Sequence, residues 1–176
     1  MALVVDEETR RVVRAQPLDI PKFMSLNGFD LRCLQDQDAE MIFDRYAADP
    51  EVCKWLGIKM LPNVENAEGF VRRMRESWAA GTEYTFAMVE TDDRLFGVIS
   101  FRVEVTTATF GYVLARSHWG RGHTSQALSV LSDLLLEQPD IWRVQAHCAA
   151  ENPASARVME KAGFVREGRL RRAVIN

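Results

Sequence analysis

The sequence predicts a mixed α/β fold in a single domain, and two patterns together with the chain length support this prediction. Phe110, Tyr112 and Leu114 alternate with smaller residues at the period of a β-strand. A few residues later, Leu128 and Leu131 recur at helical spacing, so the period changes from strand to helix within one short stretch. With 176 residues, 47% of them hydrophobic and 27% charged, the chain has the length and composition of one globular domain.

Residues 1–28 are predicted to form an extended leader, because they combine mixed charge, two prolines and little periodicity. The folded domain is predicted to span residues 29–176. It opens with a strand in which Phe29, Leu31 and Cys33 recur at every second position.

Polar residues and a glycine mark the limits of the first helices. Asp38 is predicted to start a helix that stops before Pro50. A second helix is predicted to begin at Asn63 or Asn66 and to end at Gly81. Side-chain oxygens accept hydrogen bonds from the first free amides of a helix, and glycine tolerates the left-handed backbone that often follows its end.

The later elements are predicted from short apolar runs between breakers. Asp92 lies in a polar turn between two strands, and Pro139 ends the central helix. Asn152 before Pro153 is the combination that capping favours at a helix start. The strands predicted after the first one are residues 84–89, 94–103, 109–115, 141–148 and 164–166.

Gly120 and Gly122 lie where the period changes, just before the helix of residues 125–138. Glycine lets the backbone bend sharply and approach a ligand, and the first amides of a helix point outward, so a phosphate fits this junction. A purely structural turn between a strand and a helix would use the same two glycines. Ser125 stands where a dinucleotide fingerprint has its third glycine, and no Gly-Lys-Ser/Thr occurs, so neither well-known phosphate motif is present.

Residues 119–124, Trp-Gly-Arg-Gly-His-Thr, followed by Ser-Gln-Ala-Leu, resemble the acetyl-CoA pyrophosphate loop of the GNAT family of N-acetyltransferases. The resemblance is to the branch that acetylates ribosomal-protein N-termini (RimJ/RimL-like). Residues 152–164 are similar to the Asn-x-x-Ser helix and Lys-x-Gly-Phe turn of that branch, and a looser similarity covers residues 29–172. The resemblance implies a GNAT-like α/β fold whose mixed, mostly antiparallel central sheet splays and is flanked by helices.

The resemblance also implies an enzyme, an acetyl-CoA-dependent N-acetyltransferase that modifies a primary amine. A protein N-terminus is the first candidate acceptor, and small amines such as polyamines or antibiotics are the alternative. A degenerate relative that binds CoA as a regulatory module, without activity, is a second class of function.

The residues implied for acetyl-CoA binding lie on the strand, the glycine loop and the last helix. The strand of residues 112–115 would pair with pantetheine, and the loop backbone would bind the pyrophosphate. Thr124 departs from the family pattern, which has Gly or Ala there, and its bulk weakens binding unless it caps the helix or donates its hydroxyl. The implied binding residues are Tyr112, Val113, Leu114, Trp119, Gly120, Arg121, Gly122, His123, Thr124, Asn152 and Ser155.

Acetyl transfer needs a base for the amine proton and an acid for the departing thiolate. Glu104 is the predicted base, by its place in the N-terminal acetyltransferases that the chain resembles, although Glu83 and Glu90 compete. Ser155 is the predicted acid, because it matches the serine of the branch motif. Each also has an ordinary explanation, as a solvated glutamate or as a serine in the first turn of a helix.

Several other residues are weaker candidates. His123 and His147 can move protons. Cys148 beside His147 raises a covalent cysteine mechanism, which is disfavoured because sequence neighbours on a strand point to opposite faces. Trp55 lies in the helix-loop-helix region that shapes the acceptor site in the family, and it either faces substrate or packs in the core.

Bulk properties limit the location and the partners. A net charge of -3 argues against nucleic-acid binding, and no apolar run approaches the roughly 20 residues of a membrane span. The three cysteines form an odd number without metal-ligand spacing, so we predict no metal site and a reducing, cytoplasmic location.

In the family, the chain continues beyond the position of Arg172 into a further strand that pairs back into the sheet, whereas this sequence stops at Asn176. An uncovered strand edge recruits another chain. We therefore expect a homodimer through the sheet edge, pairing of that edge with the apolar run at residues 2–5, or poor solubility.

Overall fold

An open six-stranded sheet forms the centre of the protein. The computed structural model describes residues 3–5, 12–14, 17–55 and 61–171. Its strands are β1 (Leu3–Val5), β2 (Val12–Arg14), β3 (Phe23–Leu26), β4 (Phe29–Cys33), β5 (Glu83–Val89), β6 (Leu95–Glu104), β7 (Thr107–Leu114) and β8 (Arg143–Ala146). Strands β3 to β8 lie side by side in chain order, and only the last pair is parallel. The mixed, mostly antiparallel sheet of the predicted fold class is confirmed.

In the described ranges, five α-helices flank the sheet: α1 (Asp38–Ile42), α2 (Pro50–Cys53), α3 (Val64–Ala79), α4 (His123–Leu136) and α5 (Pro153–Lys161). Helix α1 continues as a π-helical turn over Phe43–Ala47. Asn63 accepts a hydrogen bond from the Asn66 N–H at 3.2 Å, so Asn63 caps α3. Gly81 follows the end of α3 with a φ of +70°, as the capping signals predict.

The sheet separates two apolar cores. On one face, Leu128 and Leu131 of α4 pack against Phe110 and its neighbours on the strands. On the other face, Ile42 of α1 and Val71 of α3 pack against the sheet. Burying one such side chain fully contributes roughly 1.5–3 kcal/mol, so the two layers hold the helices firmly in place. The amino end of α4 is thereby fixed beside the end of β7.

Strand β3 lies in the segment predicted to be an extended leader. It forms a hairpin with β4 in which Leu26 is opposite Phe29, and the turn is the two-residue pair Asn27 and Gly28. The predicted domain boundary at residue 29 therefore cuts through a hairpin. The folded domain also includes the buried side chain of Leu18.

The predicted closing strand at residues 164–166 is wrong. Residues 164–170 are irregular, and Arg143 of β8 donates to Glu167 at 3.1 Å, which holds this segment beside β8. The described strands of the leader do not pair with β8 either, since β1 and β2 pair with each other in a separate two-stranded sheet. In the described part of the chain, β8 pairs with β7 alone.

A buried ion pair joins the sheet to the helical layer. Both terminal nitrogens of Arg32 on β4 donate to the Asp38 carboxylate, each at 2.8 Å. The Arg32 Nε donates to Asp93 at 2.6 Å, and the Gln35 N–H donates to Asp38 at 2.7 Å. Asp38 is fully buried, so these bonds replace the hydrogen bonds with water that its carboxylate loses on folding. One arginine thus connects β4, α1 and the turn between β5 and β6.

We expect Asp38→Ala to destabilise the protein by about 3–5 kcal/mol, because it leaves the Arg32 charge buried with one carboxylate fewer. Denaturant unfolding measures this change. Asp36→Ala is the control, since the exposed Asp36 pairs only at the surface with Arg75 and its loss should change stability little. Equal stability of the parent and Asp38→Ala would contradict the importance of the pair.

Candidate active site

The sheet splays where β8 leaves β7. The parallel pairing begins with Thr107 opposite Arg143 and ends with Phe110 opposite Ala146. Strand β7 runs on to Leu114, paired along its whole length with β6. Residues 111–114 therefore have a strand neighbour on one side only within the described structure. A gap opens on their other side.

Two residues of this open segment present their backbone to the gap. The Ala115 N–H donates to the Phe96 carbonyl at 2.8 Å. Because bonded positions alternate in an antiparallel ladder, Val113 is likewise bonded to β6, and the backbones of Tyr112 and Leu114 point away from β6. Backbone pairing of pantetheine at this edge can therefore use Tyr112 and Leu114, whereas the predicted contribution of Val113 cannot come from its backbone.

A close approach of β6 fixes the register of this segment. Gly97 lies opposite Leu114, and a Cβ at Gly97 would lie 2.6 Å from the Val113 carbonyl oxygen and 2.9 Å from the Met88 side chain. No side chain fits in this space. The register of β6 and β7 is therefore fixed here, because only glycine fits opposite Leu114.

The Trp119 side chain closes the end of the open edge. Its indole N–H donates to the Leu114 carbonyl at 3.0 Å, although 43% of the residue is exposed. The indole N–H is therefore used within the protein. The Tyr112 N–H and carbonyl and the Leu114 N–H are the backbone groups that remain for a ligand along the gap.

The glycine loop ends in the amino terminus of α4. Gly120 and Gly122 have φ angles of +76° and +86°, and a Cβ at either would meet no protein atom within 4 Å. The Gln126 N–H donates to the Gly122 carbonyl at 3.0 Å, so the amides of residues 123–125 precede the first donor of the helix. Together with the partial positive charge of a helix start, these amides fit a pyrophosphate. Arg121 is exposed in the same loop.

The side chains of the next two residues turn inward. The His123 ring lies 4.9 Å from the Phe29 ring and 5.0 Å from the Phe96 ring, centroid to centroid. Burial, followed by the nearby His118 and Arg121, lowers the pKa of His123, which favours the neutral ring. Thr124 is buried and Gly122 occupies the capping position, so Thr124 does not cap the helix. A contribution of His123 to phosphate binding would come from its backbone.

Ser155 lies at the gap on the other side. The Asn152 side-chain Oδ1 accepts from the Ser155 N–H at 3.0 Å and so caps α5. The Ser155 hydroxyl lies 2.8 Å from the Tyr112 hydroxyl, which is also 3.2 Å from the Ser155 carbonyl. Burial raises the pKa of Tyr112, and the hydrogen bond with Ser155 partly offsets this. Sequence spacing alone gives no sign of this contact, because the two residues are far apart along the chain.

The candidate carboxylates do not lie beside Ser155. Glu104 is exposed and pairs with Thr107, at the end of β6 far from the open edge. Ile99, the partner of Tyr112, is five residues away along β6, which is about 16 Å at about 3.3 Å per residue. Glu83 lies at the same end as Glu104, and its carboxylate accepts from Arg102 at 2.7 Å.

Glu90 lies at the other end of the sheet. Its carboxylate is 3.3 Å from His118, whose ring stacks on Phe96. Arg94 pairs with the same carboxylate at 3.1 Å. Because Ala115 bonds to Phe96, this cluster lies at the loop end of β7. Glu90 therefore lies at the opposite end of the sheet from Glu83 and Glu104.

The weaker candidates are also located by the structure. His147 and Cys148 are exposed and lie just beyond the end of β8, so the alternation argument for strand neighbours does not apply to them. Trp55 is half-buried, and the Lys54 Nζ lies over its ring, 5.1 Å from the ring centroid. The segment that follows Trp55, residues 56–60, lies outside the described residues. Its predicted part in the acceptor site stays a prediction.

The gap suits a ligand with an amide-bearing arm that pairs with a strand edge and a pyrophosphate that meets a helix start. Coenzyme A has both features, so the fold and the site define an acyl-CoA-dependent acyltransferase. The family profile described as "Acetyltransferase (GNAT) domain" matches residues 29–165. The chain belongs to the GNAT family, and it is an N-acetyltransferase that uses acetyl-CoA as co-substrate, with amines as acceptors.

Individual relatives agree with this assignment. The chain is 30% identical over 145 residues to an uncharacterized N-acetyltransferase, p20, of Bacillus licheniformis, covering 80% of this chain and 81% of the relative. It is 40% identical over 89 residues to the ribosomal-protein-serine acetyltransferase of Escherichia coli, covering 49% and 50%.

A solved structure of the Salmonella typhimurium acetyltransferase that modifies the N-terminal serine of a 50S ribosomal subunit protein is similar in fold. It has a TM-score of 0.77 at 22% identity and covers 87% of this chain and 90% of its own. The solved structure shows likeness of fold, and the similarity to the Escherichia coli enzyme supports the RimJ/RimL-like branch. Among the residues that the structure describes, no group of three or more His, Cys, Asp or Glu side chains is arranged to hold a metal ion, and no helix is long and apolar enough to span a membrane.

We expect Gly122→Val to lower the affinity for CoA about tenfold or more. A β-branched residue pays about 1–2 kcal/mol for the left-handed backbone, and its side chain enters the open space where a pyrophosphate would lie. Isothermal titration calorimetry with CoA measures the effect.

Gly163→Val is the matched control. Gly163 has a φ of +89° and equally open space around its Cβ, but it lies at the far end of α5. Its replacement should leave the CoA affinity unchanged despite similar backbone strain. If Gly122→Val bound CoA as tightly as the parent, the pyrophosphate would not lie in this loop.

Proposed function

We propose that the enzyme acetylates the α-amine of a protein N-terminus, with a ribosomal protein as the substrate class. The observation that carries the proposal is the 40% identity over 89 residues to a ribosomal-protein-serine acetyltransferase. The open edge at Tyr112 and Leu114 supports it. This edge lies between the glycine loop and Ser155 and would hold the thioester end of the co-substrate beside the Ser155 hydroxyl.

The choice of an α-amine agrees with the chemistry of the reaction. Only a neutral amine attacks a thioester, and an α-amine has a pKa near 8, whereas a lysine side chain is near 10.4. At physiological pH an N-terminus therefore loses its proton far more easily. A modest base, or water held by one, is enough for this acceptor.

In this proposal, the residues of the chain divide the work. The loop backbone at Gly120 and Gly122 holds the pyrophosphate, and the open edge of β7 aligns the arm, so that the carbonyl is oriented before the amine arrives. Ser155 donates a proton to the departing sulfur. Glu104 remains the predicted base. Because it lies at the far end of β6, the proton of the acceptor amine would have to reach it through a chain of water molecules. A cytoplasmic location stays part of the proposal, because the odd number of cysteines without metal-ligand spacing suits a reducing compartment.

A panel of acceptors tests the substrate class. We expect a peptide with a free N-terminal serine to be acetylated on its α-amine, with a kcat/KM at least about tenfold above that for the other acceptors. The matched control is the same peptide with a blocked N-terminus and an internal lysine, and spermidine represents small amines. Mass spectrometry locates the acetyl group, and thiol release gives the rate.

The other outcomes of the panel favour the alternative functions. A preference for spermidine would replace the proposal by a small-amine acetyltransferase. Tight CoA binding without turnover of any acceptor would favour a binding module.

We also propose that two copies associate through the outer edge of β8. Support comes from β8, which pairs with β7 alone among the described residues, and from Trp142 and Val165, which lie near this edge and are 75% and 83% exposed. An edge strand exposes free amides and carbonyls, and pairing with a second copy would satisfy them.

Sedimentation equilibrium tests the association. We expect a dimer for the parent and a monomer for Trp142→Glu, because the new carboxylate would be brought into an apolar contact. Leu136→Glu is the matched control, since Leu136 is also exposed but lies at the end of α4, and this variant should remain dimeric. A monomeric parent with cooperative unfolding would show that the edge needs no partner.

A further inference from the structure

We infer that Tyr112 is a positioning residue that acts through Ser155: its hydroxyl donates to the Ser155 hydroxyl, turns the serine proton toward the departing sulfur and then replaces that proton. The inference rests on the proposed role of Ser155 as the acid. It adds a second hydroxyl that neither the family motif nor the spacing of the sequence indicates. It also gives the Tyr112 side chain a function separate from that of its backbone.

The geometry limits how the two hydroxyls share their protons. They lie 2.8 Å apart, so one donates and the other accepts. The Tyr112 hydroxyl has one proton, which it can donate to the Ser155 carbonyl at 3.2 Å or to the Ser155 Oγ at 2.8 Å, and the Oγ is the nearer acceptor. The Ser155 carbonyl is also positioned to accept the amide of Met159 within α5. When Tyr112 donates to the Ser155 Oγ, the serine proton is left to point elsewhere. The gap beside the open strand edge is then the direction in which it can act.

The chemistry explains why a serine would need this partner. A serine that gives up its proton alone becomes an alkoxide, a far stronger base than the thiolate it protonates. A phenol with an ordinary pKa near 10 is much closer to a thiol near 8.5, so Tyr112 is the better final source of the proton. An ordinary phenol is already protonated at neutral pH. Burial raises the pKa of Tyr112, and the hydrogen bond with Ser155 partly offsets this rise.

The proton transfers balance as follows. The amine nitrogen bonds to the acetyl carbon and loses its proton to a base or to water, while the carbon–sulfur bond breaks and the sulfur keeps the electron pair. The sulfur takes the Ser155 proton, and the Ser155 Oγ takes the Tyr112 proton. Water returns a proton to the Tyr112 phenolate. No oxidant or further reactant is needed.

A structural role is the competing explanation, because the same contact ties β7 to α5. The two roles differ in what a deletion changes. A purely structural Tyr112 would affect the stability and CoA binding, and it would matter whether or not Ser155 has a hydroxyl. A relay through Ser155 would affect turnover alone and would have no effect once the serine hydroxyl is gone.

A double-mutant cycle on turnover, run with whichever acceptor of the panel reacts best, tests the inference. We expect Ser155→Ala to lower kcat about 100-fold and Tyr112→Phe about tenfold or more, each with unchanged CoA affinity by calorimetry and an unchanged melting temperature. The double variant should be no slower than Ser155→Ala alone. A plot of kcat against the mole fraction of D₂O in the solvent should be curved for the parent, in which two protons move. It should be linear for Tyr112→Phe.

Tyr46→Phe is the matched control. The Tyr46 hydroxyl is buried and has no hydrogen-bond partner among the described residues, and it lies in the core on the opposite face of the sheet. Its removal should leave kcat unchanged.

Three results would overturn the relay: an unchanged kcat in Tyr112→Phe, a loss that comes with weaker CoA binding or a lower melting temperature, or an equal further loss in the Ser155→Ala background. A normal rate for Ser155→Ala would refute the proposed acid and the relay together. The identity of the acceptor is decided separately by the panel, so a failure there leaves this test intact.

Discussion

Strand β7 pairs with antiparallel β6 on one side and with parallel β8 on the other. The site depends on the point at which β8 separates from β7. The antiparallel pairing with β6 continues to Leu114, while the parallel pairing with β8 ends at Phe110. A backbone group that loses water without finding a partner costs about 1–3 kcal/mol, so a strand edge left open in this way is matched to a ligand with amides of its own. The apolar layer beneath α4 holds the helix start in line with that edge.

Local signals predicted most of the fold because their causes are local. Asn63 and Asn152 cap helices through bonds to amides three residues away, and the alternation around Tyr112 follows from the geometry of one strand. Strand β3 was not predicted, because the nearby prolines favoured an irregular leader. Asn27 and Gly28 nevertheless form a typical hairpin turn between β3 and β4. The apolar run that begins at Phe164 was too short to distinguish a strand from an irregular segment.

The sequence predicted the part of the candidate site that depends on local backbone conformation. It did not predict contacts between residues that are far apart along the chain. Two glycines before an apolar helix predicted a sharp backbone bend, and Gly120 and Gly122 both have left-handed φ angles. The contact between Tyr112 and Ser155 depends on how β7, the gap and α5 are placed in space, which no periodicity encodes. The place of Glu104 depends on the full length of β6, and its role as the base remains a prediction.

The missing side chain at Gly97 has a consequence for how the family can vary. Strand β7 cannot slide along β6, because any other register would bring a Cβ against the carbonyl that now lies over Gly97. The tight turn at Val105 and Thr106 fixes the other end of the same hairpin, because Val105 has a left-handed φ of +55° and the Thr106 carbonyl accepts from the Trp142 N–H at 2.9 Å. The hairpin of β6 and β7 is therefore held at both ends. Changes of length elsewhere in the chain would leave the open edge in place.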